Sequence, residues 1–252
     1  MGGGAYRAEH GDLTLDSNYK AYDYLASFRR VDEILNQADL NYTEVNELPD
    51  RDRLTFSNGF YAYCSALFVD IRGSSELPAK YKRPTLARLY RAYISEVVAI
   101  MNGDAYCREI NIVGDGVWCV VNTAKKSAID GVFSTACRIH SLVDVLNRKL
   151  RKRGVDPIRV GIGMEYGRAL MIKAGYSGSG INDVVYMGEV VNRAAKLAAQ
   201  GSKPLPAGFS PPMMIGSIFA QNLNEHNRGL LTRNYVRDCY TSNAVITAMC
   251  EW

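Results

Sequence analysis

The chain has 252 residues, 30 of them basic and 26 acidic, and 47% of it is apolar. That length and apolar share support one large domain, or a domain with an extension, around a full core. The formal charge of +4 and the single short basic run NRKLRKRG (147–154) speak against a bulk nucleic-acid binder, and no apolar stretch reaches the ~20 residues of a membrane span.

The first residues, MGGGAYRAEHGD, lack the apolar segment of a signal peptide, and Tyr6 stands where a myristoylation motif carries Ser or Thr. Residues 1–15 are expected to be mobile. From residue 16 onward, Tyr22, Leu25, Phe28, Val31, Ile34 and Leu35 recur at helical spacing, with Asp16, Ser17 or Asn18 available as the N-cap. This helix either packs on its own domain or serves as a dimer-stabilising arm. Residues 44–58 form a charged connector that ends in a turn.

From residue 59 the pattern changes. FYAYCSALFVD (60–70) reads as a strand. A helix follows, starting near Pro84, with Leu86, Leu89, Tyr93, Val97 and Met101 on its apolar face and Asn102-Gly103 at its end. AYCREINIV and GVWCVVN are two strands around the tight turn Gly114-Asp115-Gly116. Residues 127–154 form a long amphipathic helix stopped by Gly154, and 158–175 a strand or hairpin. The order β-α-β-β-α-β is that of a ferredoxin-like α+β core. A further helix, GEVVNRAAKLAAQG (188–201), and a strand-rich C-terminal tail complete the chain. The six cysteines form no CxxC and sit largely in apolar runs, which suits reduced core thiols and a cytoplasmic protein. The three histidines, at 10, 140 and 226, give no zinc-site pattern.

One carboxylate, Asp70, ends the first core strand, and another, Asp115, sits in the hairpin between the next two. Each has a plainer reading alone, Asp70 as a helix cap and Asp115 as a turn residue. In a β-α-β-β sheet, however, the first and third strands are commonly neighbours, so the two carboxylates can meet at one sheet edge. Such a pair repels unless a cation lies between. Oxygen ligands without histidine or thiolate suit Mg2+ or Mn2+, the usual companions of triphosphates. The turn Gly73-Ser74-Ser75, running into a helix, offers backbone amides to phosphate oxygens.

FVDIRGSS (68–75), NIVGDGVWCVV (111–121), VGIGMEYGRALM (160–171) and YMGEVVNRAAKLA (186–198) resemble, in order and spacing, the successive signature segments of class III nucleotide cyclases. The resemblance spans roughly residues 60–245. It implies an N-terminal extension (1–58) and a catalytic domain (59–252) that pairs head to tail in a homodimer, with each active site in the groove between subunits. It implies two metal ions per site, held by Asp70, Asp115 and the carbonyl of Ile71, which assist in-line attack of the ribose 3′-hydroxyl on the α-phosphorus. From the partner face it implies Asn192 as the ribose-orienting residue. Lys196 stands where the family carries an arginine for the α-phosphate, and lysine lacks the bidentate fork; its plainer reading is a solvated lysine. The family's C-terminal phosphate-binding lysine has no clean match, Arg233 and Arg237 being the nearest residues.

The two base-reading positions of the family are Asn111 and Val185, and neither matches a purine pattern. A pyrimidine pocket is smaller, and Tyr186, Tyr61 or Tyr63 can fill it, while the Asn111 amide suits a uracil or cytosine edge. The DIRGSS form and these departures resemble the pyrimidine cyclases of bacterial anti-phage signalling, whose product activates a separate effector protein. UTP is favoured over CTP, although the Asn111 amide can present either end. The alternatives are a cytidylate cyclase, an adenylyl cyclase with an atypical base pocket, and a non-catalytic nucleotide sensor; retention of both aspartates argues against the last.

Overall fold

The computed structural model describes residues 15, 17–38, 41–204 and 208–251. The expected mobility of residues 1–14 and the capping role of Asp16 lie outside them. The chain forms two compact units. One comprises Pro49–Tyr61, Leu170–Tyr186 and the described part of Met1–Glu44; the other comprises Val45–Leu48, Ala62–Ala169 and the described part of Met187–Trp252.

In the smaller unit, helix α1 (Tyr24–Leu35) starts later than the sequence suggested. Neither Ser17 nor Asn18 caps it: Asp23 does, its Oδ1 accepting from the Ala26 amide at 3.0 Å, while Asn18 Nδ2 donates to the Ser179 carbonyl at 2.6 Å. None of the residues of α1 is buried. Strand β1 (Tyr42–Glu44) pairs in parallel with the first residues of β2 (Gly59–Ile71), Tyr42 opposite Gly59. Arg51, in the turn Arg51–Arg53, bonds Asp183 at 2.6 Å, and the Arg30 guanidinium lies 4.7 Å from the Tyr176 ring centre.

The larger unit carries the ferredoxin-like core. After β2 come the short α2 (Leu77–Lys80), α3 (Arg83–Asn102), β3 (Cys107–Val113), β4 (Gly116–Val121), α4 (Lys126–Arg151) and β5 (Val160–Gly175). The strand order β3-β4-β2-β5 makes the first and third strands of the βαββαβ unit direct neighbours. Alternation explains the layering. Leu67, Val69 and Ile71 of β2 and Val117, Cys119 and Val121 of β4 point to one face. There they pack with Leu89, Tyr93, Val97 and Met101 of α3 and Ile129, Val132, Phe133 and Ala136 of α4 in one apolar core. A fully buried side chain of this size contributes about 1.5–3 kcal/mol.

The stretch read as a strand or hairpin is one long strand, β5, which pairs with β6 (Asn182–Met187). The tail is α5 (Glu189–Gln200), β7 (Met213–Ile215), α6 (Ser217–Asn222), α7 (Glu225–Gly229), β8 (Thr232–Asn234), β9 (Cys239–Ser242) and α8 (Thr247–Cys250). Its strands extend the sheet in the order β5-β7-β9-β8. All six cysteines are free thiols. Among the described residues no helix is long and apolar enough to cross a membrane.

Candidate active site

Because Val69 and Ile71 face the helices, Asp70 and Phe68 are turned to the opposite face of the sheet. Strands β2 and β4 run antiparallel with Val69 opposite Val117, which brings the Gly114-Asp115 turn to the end of β2. The two aspartates therefore meet, as their positions in the strand order suggested. Asp115 Oδ2 accepts from the Ile71 amide at 3.3 Å. Arg72 Nη2 donates to Asp70 Oδ2 at 2.5 Å, and its Nη1 donates to the Ala199 carbonyl at 2.9 Å. Burial and then the charge of Asp115 push the Asp70 carboxyl above its usual range, with Arg72 opposing. The turn needs Gly114, whose φ is +62°. At Gly116 a Cβ would stand 3.2 Å from the Val113 carbonyl oxygen across the turn and 3.7 Å, an ordinary contact, from Asp70 Oδ1.

Two carboxylates this close form a donor set whose repulsion a hard divalent cation relieves. The residues present thus fit Mg2+ or Mn2+. Among the described residues no group of three or more His, Cys, Asp and Glu side chains gathers, so backbone, water and substrate would complete the shell. Next to Asp70 lies an apolar cavity of about 280 Å3, floored by Phe68 and Trp118, whose rings stack at 4.9 Å, and walled by Ala195, Ala198 and Ala199 of α5. Sequence reading passed over Phe68 and Trp118. Strand alternation from Asp70 and from the buried Val117 is the signal that places both on this face.

Helix α5 lies directly on β5. A Cβ at Gly161 would fall 2.1 Å from the Ala198 carbonyl oxygen, and one at Gly163 would fall 2.1 Å from the Ala198 amide nitrogen. Gly188, at φ +147°, starts the helix against the Arg168 carbonyl. Asn192 and Lys196, one turn apart and both exposed, line a cavity of about 550 Å3 together with Arg193, Gln200, Arg237 and Asp238. Neither Asp70 nor Asp115 lines it.

The two C-terminal arginines part company. Arg237 lines this cavity, held by the Gln200 carbonyl at 2.7 Å. Arg233 does not line it; its guanidinium bonds Asp238, donates to the Cys239 carbonyl at 2.8 Å and lies 5.1 Å from the Tyr240 ring centre.

Gly73, at φ +69°, leads into the tight turn Ser74–Glu76, where the Glu76 amide donates to the Gly73 carbonyl at 3.1 Å. Asn111 is half-buried on β3, its amide donating to Glu109 Oε1 at 3.4 Å. Tyr63 is exposed and stacks on Tyr166 at 5.7 Å. In the smaller unit Val185 is 38% exposed, Tyr61 is 36% exposed and Tyr186 is 6% exposed. Alternation along β6 therefore turns Tyr186, expected as a pocket filler, away from the face that Val185 presents.

A family profile described as the adenylate and guanylate cyclase catalytic domain matches residues 58–204. A uridylate cyclase of Treponema porcinum is 38% identical over 235 residues, covering 92% of this chain and 80% of the relative. A uridylate cyclase of Gulbenkiania mobilis is 45% identical over 195 residues, covering 74% and 75%. Among solved structures, a class III adenylyl cyclase-like ATP-binding protein from Pseudomonas aeruginosa superposes with a TM-score of 0.67 at 18% identity. That match covers 90% of this chain and 48% of the other; at this identity it bears on the fold alone.

Proposed function

We propose that this chain, which belongs to the adenylate and guanylate cyclase catalytic domain family, converts UTP to 3′,5′-cyclic UMP and pyrophosphate. The observation that carries the choice of substrate is its identity, over most of their lengths, to two relatives named uridylate cyclase. The non-purine residues Asn111 and Val185 at the base-reading positions support it.

In this reading the ribose 3′-oxygen attacks the α-phosphorus in line, and the bond to the pyrophosphate oxygen breaks. Divalent cations bound by Asp70, Asp115 and the Ile71 carbonyl would lower the pKa of the 3′-hydroxyl and neutralise the triphosphate. The amides of the Gly73-Ser74-Ser75 turn approach phosphate oxygens. Asn192 orients the ribose, Lys196 meets the charge that develops at the α-phosphate, and Arg237 holds the far phosphates. Asn111 and Tyr63 shape the base pocket. Each site draws its two halves from different copies in a homodimer, a reading supported by the absence of both aspartates from the lining of the Asn192 and Lys196 cavity. The product serves as a cytoplasmic messenger for anti-phage defence, read by a separate effector.

Turnover of each of the four nucleoside triphosphates with Mn2+, with the cyclic product identified, tests the proposal. UTP should be converted fastest. Fastest conversion of ATP would sink the pyrimidine reading, and fastest conversion of CTP would make the chain a cytidylate cyclase. No product from any of them would leave a nucleotide sensor on a cyclase fold.

A further inference from the structure

We propose that Arg193 is a further substrate-contacting residue of this site: held from behind by the buried Glu165, it offers one free edge of its guanidinium to the triphosphate beside Lys196. The inference rests on the cyclase reading above.

Arg193 lines the same cavity as Asn192 and Lys196, three residues from Lys196 on one side of α5. Its Nε lies 3.0 Å from Glu165 Oε2 in an ion pair, and its Nη2 donates to the Asp238 carbonyl at 3.2 Å. Its Nη1 has no protein acceptor among the described residues. The carboxylate behind it cannot move. Glu165 is 3% exposed in its side chain, and its Oε1 accepts from the Tyr166 amide at 2.9 Å and the Phe219 amide at 3.1 Å. A Cβ at Gly216 would fall 1.8 Å from its Oε2, so the backbone closes over it. The guanidinium is thereby held by one hydrogen bond and one ion pair, and Nη1 is left for a ligand.

A structural role alone accounts poorly for this pair. The seat of α5 on β5 is already set by Gly161 and Gly163 against Ala194 and Ala198. The pair is only half buried, the Arg193 side chain being 36% exposed, and an ion pair reached by solvent usually adds little stability. The cavity itself is cationic. Arg193, Lys196 and Arg237 face two acids, Glu189 and Asp238, and the Asp238 carboxylate is engaged by Arg233. Such a cavity selects an anion, and a pre-oriented guanidinium supplies the directional donors that the point charge of Lys196 lacks.

The test uses the full-length chain and its Arg193→Gln, Arg193→Lys and Glu165→Gln variants, matched for far-UV circular dichroism. Turnover is measured with whichever triphosphate the wild type converts, and binding of inorganic tripolyphosphate by calorimetry. Arg193→Gln should lower kcat/KM about 30-fold and weaken tripolyphosphate about tenfold, as loss of a charged hydrogen bond does. Arg193→Lys keeps the charge, so tripolyphosphate affinity should stay within about threefold while kcat falls about tenfold. Glu165→Gln, a positioning change, should lower kcat and leave tripolyphosphate affinity within about threefold. A folded Arg193→Gln chain with both readouts within about threefold of wild type would overturn the proposal. Should that variant not fold, an unchanged kcat in Arg193→Lys overturns it instead. A wild type that converts no triphosphate defeats the cyclase reading, and the tripolyphosphate comparison still reports on the contact.

Discussion

Gly163→Ala changes no residue of the proposed site, yet it should disable it. A Cβ at this position would stand 2.1 Å from the Ala198 amide nitrogen and 2.2 Å from the Ala194 carbonyl oxygen. Both are backbone atoms of α5, so no side-chain rotation relieves the clash. Restoring an ordinary contact of 3.4 Å requires α5 and β5 to part by roughly 1.3 Å. The overpacking costs about 1–3 kcal/mol, which a domain stable by about 5–15 kcal/mol survives. Its thermal signature is a fall in Tm of about 2–4 °C per kcal/mol. Asn192 and Lys196 ride on the displaced helix, and a shift of about 1 Å at a reacting group costs about 100-fold in rate. Turnover measured at 25 °C, well below the Tm of the variant, separates the two effects. Gly229→Ala, which meets no atom within 4 Å, is the control and should match wild type. A folded Gly163→Ala chain that keeps turnover within about threefold of wild type would refute the claim that the seat of α5 on β5 sets the geometry of the site.

Two further outcomes follow from the placement of the site residues. Asp70→Ala and Asn192→Ala chains, each inactive alone, should regain about a quarter of wild-type turnover when co-expressed, since about half the dimers are mixed and each carries one intact site of two; no recovery would mean that the site is not built across two chains. Arg237→Ala should raise KM about tenfold with little change in Tm, because its guanidinium lines the cavity of Lys196, whereas Arg233→Ala should leave KM alone; the reverse pattern in steady-state kinetics would exchange their roles.

The core was legible because its signals are periodic and local. Alternation in β2 and the 3.6-residue spacing of Leu89, Tyr93, Val97 and Met101 each name a buried face, and the Gly114-Asp115 turn declares itself by its glycines. The meeting of Asp70 with Asp115 was legible one level up, from strand order. The start of α1 was not, because Ser17, Asn18 and Asp23 are equally good caps and only tertiary contacts decide which residue stops being extended. The burial of Val184 and Tyr186 on either side of the exposed Val185 follows the alternation of β6. The placement of Arg233 and Arg237 depends on tertiary partners, Asp238 for the first and the Gln200 and Pro204 carbonyls for the second, and no spacing in the sequence encodes that choice.

The alanines of NRAAKLAAQ, which look like mere helix formers, explain how one short helix borders two different cavities. Ala194 and Ala198 are small because the glycines of β5 press on their backbone; a larger residue at either end of that contact would lift the helix. Ala195, Ala198 and Ala199 are small because they wall the apolar cavity beside Asp70, where a bulky side chain would fill the space over Phe68 and Trp118. The remaining side of α5 is then free to carry Asn192, Arg193 and Lys196 toward a different, cationic cavity. A nucleotide that needs the aspartate pair of one cavity and the cations of the other must bridge two surfaces that a single copy keeps on separate sides of this helix. In the proposed homodimer a second copy, related by a twofold axis, would present each missing surface to the other, and catalysis would then require dimerisation.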